Sequence, residues 1–211
     1  MAADRDRQLS FLGDAAPDPL ALEDGRLTYA PAFFAPDVAD RLLTELLASI
    51  EWHAESVHLF GKTHPVPRLV AWHGDAGTAY MYSGISHDPL PWTPALAAVR
   101  DQVAEAAGVA FNAVLLNRYR NGEDKMGWHA DDEPELGPSP TIASISLGAR
   151  RTFQLKHRTR RDLPRVDLEL EHGSLLVMHP PTQTHWLHKV PRRARVQGER
   201  VNLTFRWIHA R

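Results

Sequence analysis

From Phe111 to the C-terminus the chain divides into short segments of alternating polarity, at 112–119, 141–147, 151–156, 166–170, 174–179, 185–190 and 200–208. Glycines and prolines stand between them, including Gly122, Gly137-Pro138, Gly148, Pro164, Gly173, Pro180-Pro181, Pro191 and Gly198. A period of two sends successive side chains to opposite faces of a strand, and the breakers end each run in a turn. Short strands at such spacing bury their apolar faces by closing into a sandwich or barrel. Two helices come first. One spans Pro36 to Ser49, with Val38, Leu42 and Leu46 beside Leu43, Leu47 and Ile50 as an apolar stripe. The other takes Thr93 as N-cap, Pro94 in its first turn and Gly108 as its stop. Helices followed by strands predict an α+β fold, here a double-stranded β-helix (jelly roll) with flanking N-terminal helices. Residues 1–28 contain Gly13, Pro17, Pro19 and Gly25 among scattered acids and read as a poorly ordered arm. That leaves 29–211 as one folded domain.

Composition narrows the chemistry. The chain has 211 residues and no cysteine, which excludes disulfides, thiolate zinc sites and thiol catalysis. Any metal must be held by nitrogen and oxygen. No apolar run is long enough to span a bilayer, and the N-terminus lacks the apolar stretch of a secretory signal. A cytoplasmic monomer without membrane contact is expected. The formal net charge of −2 does not mark a polyanion binder, but cations cluster in Lys156-His157-Arg158-Thr159-Arg160-Arg161, at Arg165, and at Arg192, Arg193 and Arg195. Such clusters are either solvated loops or tracks for phosphates.

The segment Gly127-Trp128-His129-Ala130-Asp131 holds a His-x-Asp pattern. In extended backbone, residues two apart face the same side, so His129 and Asp131 can offer an imidazole and a carboxylate to one point. A further histidine would complete the facial triad of non-haem iron(II) oxygenases, which leaves open coordination positions. By spacing alone the third ligand stays open. His185 and His188 lie three apart and would face opposite sides of a strand, and His179 precedes Pro180-Pro181.

In the last segment Val201, Leu203, Phe205 and Trp207 alternate with Arg200, Asn202, Thr204 and Arg206. The polar set is entirely hydrogen-bonding and contains no acid. Arg200 and Arg206 lie roughly 20 Å apart along a strand, and both long side chains can lean inward. Guanidinium forks bind carboxylates in bidentate fashion and keep their charge. A small keto-diacid gripped at both ends and able to chelate a metal points to 2-oxoglutarate.

In order, Asn117-Arg118-Tyr119, His129-Ala130-Asp131, His188 and Arg200-Val201-Asn202-Leu203-Thr204-Phe205-Arg206 resemble the signature of the AlkB family of iron(II)- and 2-oxoglutarate-dependent dioxygenases. The likeness covers roughly 29–209 and is strongest to the DNA-repairing animal homologues. It implies His188, within Trp186-Leu187-His188-Lys189-Val190-Pro191, as the third iron ligand beside His129 and Asp131. It implies Asn117, Tyr119, Arg200, Asn202, Thr204 and Arg206 around 2-oxoglutarate, with Arg200 on the distal carboxylate, Arg206 near the metal-chelating end, and O2 as co-substrate. A nucleotide-recognition part is implied at roughly 52–92. There Phe60, Gly61, Lys62 and Arg68 form a hairpin whose Phe60 wedges into the base stack, and Tyr80 and Tyr82 line a base pocket. Glu133 would hydrogen-bond the exocyclic amine of a flipped base. The implied activity is direct-reversal repair: oxidative demethylation of 1-methyladenine and 3-methylcytosine in DNA. The alternative is the same chemistry on RNA or on a substrate other than nucleic acid. A non-catalytic jelly-roll binding module would have no use for arginines facing a metal triad. A metal-dependent isomerase would need more histidines and a glutamate around the metal.

Overall fold

The computed structural model describes residues 17–59, 62–78, 80–82 and 85–209. The chain runs β1 (Asp18–Leu22), β2 (Gly25–Ala30), α1 (Pro36–Ser49), β3 (His53–Leu59), β4 (Lys62–Gly74), β5 (Tyr80–Tyr82), β6 (Ile85–His87) and α2 (Pro94–Ala107). It continues through β7 (Ala113–Tyr119), β8 (Met126–His129), a 3-10 turn (Pro134–Leu136), β9 (Ile142–Gly148), β10 (Arg151–His157) and β11 (Val166–Leu170). It ends with β12 (Ser174–His179), α3 (Thr182–His185), β13 (Trp186–Val190) and β14 (Arg200–Arg206).

Eight strands form the major sheet in the order β1-β2-β12-β9-β14-β7-β4-β3, and four form the minor sheet, β11-β10-β13-β8. Neighbours in both are antiparallel. Strand alternation divides the core in two. Val114, Leu116, Ala143, Ile145, Val201, Leu203 and Phe205 project from the major sheet onto Val38 and Leu46 of α1 and Leu96, Val99 and Val103 of α2. The opposite face, with Leu27, Leu115, Ile142, Leu176 and Met178, meets Phe153, Leu155, Trp186 and Val190 of the minor sheet. Each fully buried Leu, Ile, Val or Phe contributes about 1.5–3 kcal/mol, so this two-sided burial is what closes the jelly roll. In α2 the Thr93 side chain accepts from Leu96 N–H at 3.2 Å, and Gly108 closes the helix at φ 70°.

Three expectations are corrected. Part of the supposed arm is ordered: β1 and β2 form a hairpin, and β2 joins the major sheet through β12. Glu23-Asp24 makes the turn between Leu22 and its partner Gly25. Asp24 sits at φ 52° in a two-residue turn, and Leu27 behind it is 1% exposed. Residues 1–16 lie outside the described residues. The segment read as a strand over 185–190 begins at Trp186, because His185 closes the short α3. The last strand ends at Arg206, and Trp207 leaves the apolar face and is 44% exposed.

Candidate active site

β14 runs between β9 and β7, with Asn202 opposite Asn117 on one side and Ser146 on the other. Its apolar residues face the helices, so Arg200, Asn202, Thr204 and Arg206 point between the sheets, all less than 9% exposed. Asn202 and Thr204 belong to a hydrogen-bonded polar set. Asn202 Nδ2 donates to Ser144 Oγ at 2.8 Å and to Ile145 O at 3.0 Å. Thr204 Oγ1 donates to Asn202 Oδ1 at 3.0 Å. Arg68 Nε donates to Asn117 Oδ1 at 2.5 Å, and Asn117 Nδ2 reaches Asn202 Oδ1 at 3.4 Å.

The minor sheet supplies the other wall. β8 and β13 pair with His129 opposite His188, and the two rings lie 4.2 Å apart edge to face. Asp131 follows β8 at 2% exposure, with its Oδ2 3.4 Å from His188 Nε2. One ligand atom from each of His129, Asp131 and His188 falls within 4.8 Å of the others. His129 Nδ1 donates to Gly127 O at 2.9 Å, which leaves Nε2 unprotonated and free to bind a metal. Burial holds His129 near pKa 3, with His188 acting in the same direction, so its imidazole is neutral at working pH. Burial opposes the charge on Asp131, but the Arg206 guanidinium and His188 outweigh it and keep the carboxylate well below its usual range. Arg206 donates to Asp131 Oδ1. The arginine that looked unbalanced along its own strand is therefore balanced across the site.

A cavity joins the two walls, lined by the three clustered residues and by Asn117, Tyr119, Ser144, Arg200, Asn202, Thr204 and Arg206. Arg200 is 1% exposed, and its Nη2 donates to Ser146 Oγ at 2.9 Å. Its Nε and Nη1 have no hydrogen-bond partner among the described residues. Two buried, open guanidinium donors at one end of a polar cavity fit a carboxylate. A two-histidine, one-carboxylate cluster at the other end fits iron(II).

Other residues of the reading fall as follows. His185 stacks on His157 with ring centres 5.8 Å apart, outside the cluster. His179 bonds Thr28 on the major sheet. Arg68, expected among substrate contacts, is 3% exposed and reaches inward to Asn117, because its parity on β4 matches that of Val70 and Trp72. Glu133 is half-buried at the start of the 3-10 turn. Tyr80 and Tyr82 lie on β5, which pairs with β6, and Lys62 opens β4. The side chains of these three, and all of Phe60 and Gly61, lie outside the described residues. In the basic clusters Arg158 pairs with Asp132, Arg160 with Asp162 at 2.7 Å and Arg192 with Glu123 at 2.6 Å.

Sequence reasoning missed Ser144, Ser146 and Gln183. The first two were legible, since they alternate with Ala143, Ile145 and Leu147 on β9. Gln183 was not. Its Oε1 accepts from Asp131 N–H at 2.9 Å across 52 residues of chain, from a helix of four residues. No helix among the described residues is long and apolar enough to cross a membrane.

Residues 26–206 match the 2OG-Fe(II) oxygenase superfamily. Over 184 residues the chain is 49% identical to DNA oxidative demethylase ALKBH2 of Mus musculus, an alignment spanning 83% of this chain and 77% of that protein. It is 38% identical over 192 residues to alpha-ketoglutarate-dependent dioxygenase alkB homolog 3 of Homo sapiens, covering 87% of this chain and 66% of the relative. In fold it resembles an oxidoreductase of the 2OG-Fe(II) oxygenase family from Burkholderia pseudomallei, with a TM-score of 0.57 at 17% identity and 87% of each chain covered.

Proposed function

Since this chain belongs to the AlkB family of iron(II)- and 2-oxoglutarate-dependent dioxygenases, we propose that it repairs DNA by oxidising N-methyl groups off damaged bases. The observation that carries the reading is the single cavity with the His129, Asp131 and His188 cluster at one end and the open donors of Arg200 at the other. Identity of 49% to a DNA oxidative demethylase supplies the substrate class.

In this reading His129 Nε2, an Asp131 carboxylate oxygen and His188 would hold the iron. Arg200 would bind the distal carboxylate of 2-oxoglutarate, with Arg206 toward its chelating end and Asn117, Tyr119, Asn202 and Thr204 around it. Bound there, iron(II) with 2-oxoglutarate and O2 turns an N-methyl group into N-hydroxymethyl, which leaves as formaldehyde while succinate and carbon dioxide form. The protein's own part is orientation and charge. Arg206 keeps Asp131 ionised, the Gly127 carbonyl fixes the His129 tautomer, and Phe153 stacks on His188 at 5.1 Å to hold that ring in place.

A methylated base must leave the stack to reach such a site. Methylation at N1 of adenine or N3 of cytosine blocks pairing and adds positive charge, so extrusion costs less and aromatic stacking gains a cation–π term. Tyr80 and Tyr82 are assigned to that stacking, Glu133 to the exocyclic amine, and Phe60 with Gly61 and Lys62 to the wedge that fills the gap. Arg68 supports the cavity wall through Asn117.

The test uses iron(II), 2-oxoglutarate, ascorbate and an oligonucleotide with one 1-methyladenine, single-stranded or in duplex, read by mass. The wild type should remove the methyl group and His129→Ala should not. Phe60→Ala should lose duplex activity while keeping single-strand activity. Succinate formation without any change in oligonucleotide mass would leave the oxygenase standing and remove the nucleic-acid substrate.

A further inference from the structure

Arg151 opens β10 and is 1% exposed, yet no carboxylate among the described residues hydrogen-bonds it. Its guanidinium donates to three backbone carbonyls instead: Nη1 to Asn121 O at 3.2 Å, and Nη2 to Asp124 O at 2.8 Å and Pro191 O at 2.7 Å. Two of these belong to the turn between β7 and β8, and the third begins the loop between β13 and β14. Burying an arginine without a directly bonded acid is costly, and Asp124, whose charge reaches Arg151, is itself paired with Arg120. Here it happens beside a second buried arginine. The Arg151 guanidinium carbon lies 5.5 Å from the centre of the Tyr119 ring, and that of Arg200 lies 5.0 Å from the same ring. Burial pushes Arg200 down to about 10, with Arg151 acting in the same direction and Tyr119 against it. Nε of Arg151 and both Nε and Nη1 of Arg200 are buried without a hydrogen-bond partner among the described residues. The two guanidiniums repel one another across Tyr119.

The loop reached by Arg151 is laced to the same turn. Gly122 N–H donates to Val196 O, and Arg193 N–H donates to Gly122 O, each at 2.8 Å. The packing is close enough that a Cβ on Gly122 would lie 1.8 Å from Arg193 O. Cavity wall, turn and loop therefore form one packed unit, and Arg151 contacts all three.

We propose that Arg151 is a positioning residue that ties occupancy of the diacid pocket to the arrangement of the 191–196 loop, which carries Arg192, Arg193 and Arg195. The proposal rests on the reading of Arg200 as the diacid anchor. A carboxylate on Arg200 offsets the repulsion between the two guanidiniums, so Arg151 holds its three carbonyls more tightly and the loop becomes more ordered. Because coupling is reciprocal, an anion bound by the loop strengthens diacid binding by the same factor.

The experiment measures amide hydrogen exchange of the iron(II)-loaded protein under nitrogen, with and without 2-oxoglutarate, while calorimetry reports diacid affinity separately. In the wild type, 2-oxoglutarate should slow exchange across 119–126 and 190–198 by about tenfold. Arg151→Lys keeps the charge but loses the planar fork. It should bind the diacid about tenfold more weakly and lose the response at 190–198 while β9 and β14 stay protected. Its KM for 2-oxoglutarate should rise with kcat within about twofold, the pattern of lost ground-state binding. Gly122→Ala keeps both arginines and forces the loop off the turn, so it should also lose the response at 190–198; it decides the matter if Arg151→Lys fails to fold. A wild-type response confined to 119–126, or a full response at 190–198 in either variant, overturns the proposal. Absence of diacid binding in the calorimetry of the wild type would overturn the Arg200 reading, and this inference with it.

Discussion

Arg200 and Arg206 occupy one face of one strand, yet their surroundings give them different roles. Arg206 meets Asp131 and keeps a cluster carboxylate ionised, while Arg200 meets Ser146 and Tyr119 and retains two open donors. Arg200→Met should therefore raise KM for 2-oxoglutarate by about 100-fold, since a buried charge-assisted carboxylate contact is worth about 2–5 kcal/mol. Arg200→Lys should fall between, because a single ammonium cannot reproduce the fork. Steady-state kinetics with varied 2-oxoglutarate checks both. His129 sets a pH dependence. Folding lowers its pKa from 6.5 to about 3, so the unfolded chain binds more protons between those values. Stability of the metal-free protein should be full above about pH 6.5 and decline as the pH falls toward 4. Below that, Asp131 adds to the loss, since its folded pKa is depressed and its stabilisation disappears as it protonates. Urea midpoints between pH 7 and 4 measure the effect, and His129→Phe should flatten the curve. His73 and His179, also lowered by burial, should leave some residual slope.

At the scale of elements, β14 shows why alternation underdetermines a strand. Both of its faces are buried, one on helices and one on the cavity, so a pattern that resembles a half-exposed strand lies at the centre of the major sheet. The basic segments behave in the opposite way. Arg158, Arg160 and Arg192 are engaged by acids of the protein, whereas the half-buried Lys156 has its ammonium 4.6 Å from the centre of the Trp128 ring. A charge run in sequence thus overstates the cations available to a polyanion. Helix α2 is capped as its sequence indicates, and it backs the strands that carry the diacid residues. Thr93→Ala removes the cap bond to Leu96 N–H and should cost about 1 kcal/mol, lowering Tm by about 2–4 °C. Thermal melting should show that loss with kcat unchanged, because α2 contributes no side chain to the cavity.

At the scale of the molecule, the two sheets meet through the cavity, and its ligands act as a clasp between them. The diacid residues lie on the major sheet, and the metal cluster lies on and beside the minor sheet. A ligand bridging these walls binds only the folded chain. 2-Oxoglutarate at about 100 times its Kd should stabilise the iron-loaded protein by about 2.7 kcal/mol, raising Tm by about 5–10 °C. Arg200→Met at the same concentration should lose most of that shift. An equal shift in the variant would mean that the diacid binds elsewhere.

Local features of the chain determined a good deal. Alternation and turn residues marked β9, β10, β11, β12 and β14, an apolar stripe marked α1, caps marked α2, and His129-Ala130-Asp131 marked two members of the cluster, because each signal is written within a few neighbouring residues. Tertiary structure decided what lies far apart in sequence. It brought His188 opposite His129 through the pairing of β8 and β13, and placed Arg206 against Asp131. It also carried Gln183 to Asp131 N–H and turned Arg68 inward. Spacing alone could not separate His185 from His188, since the choice depends on where α3 ends and β13 begins. That boundary is set by packing of Trp186 into the core, a long-range contact with no local signature.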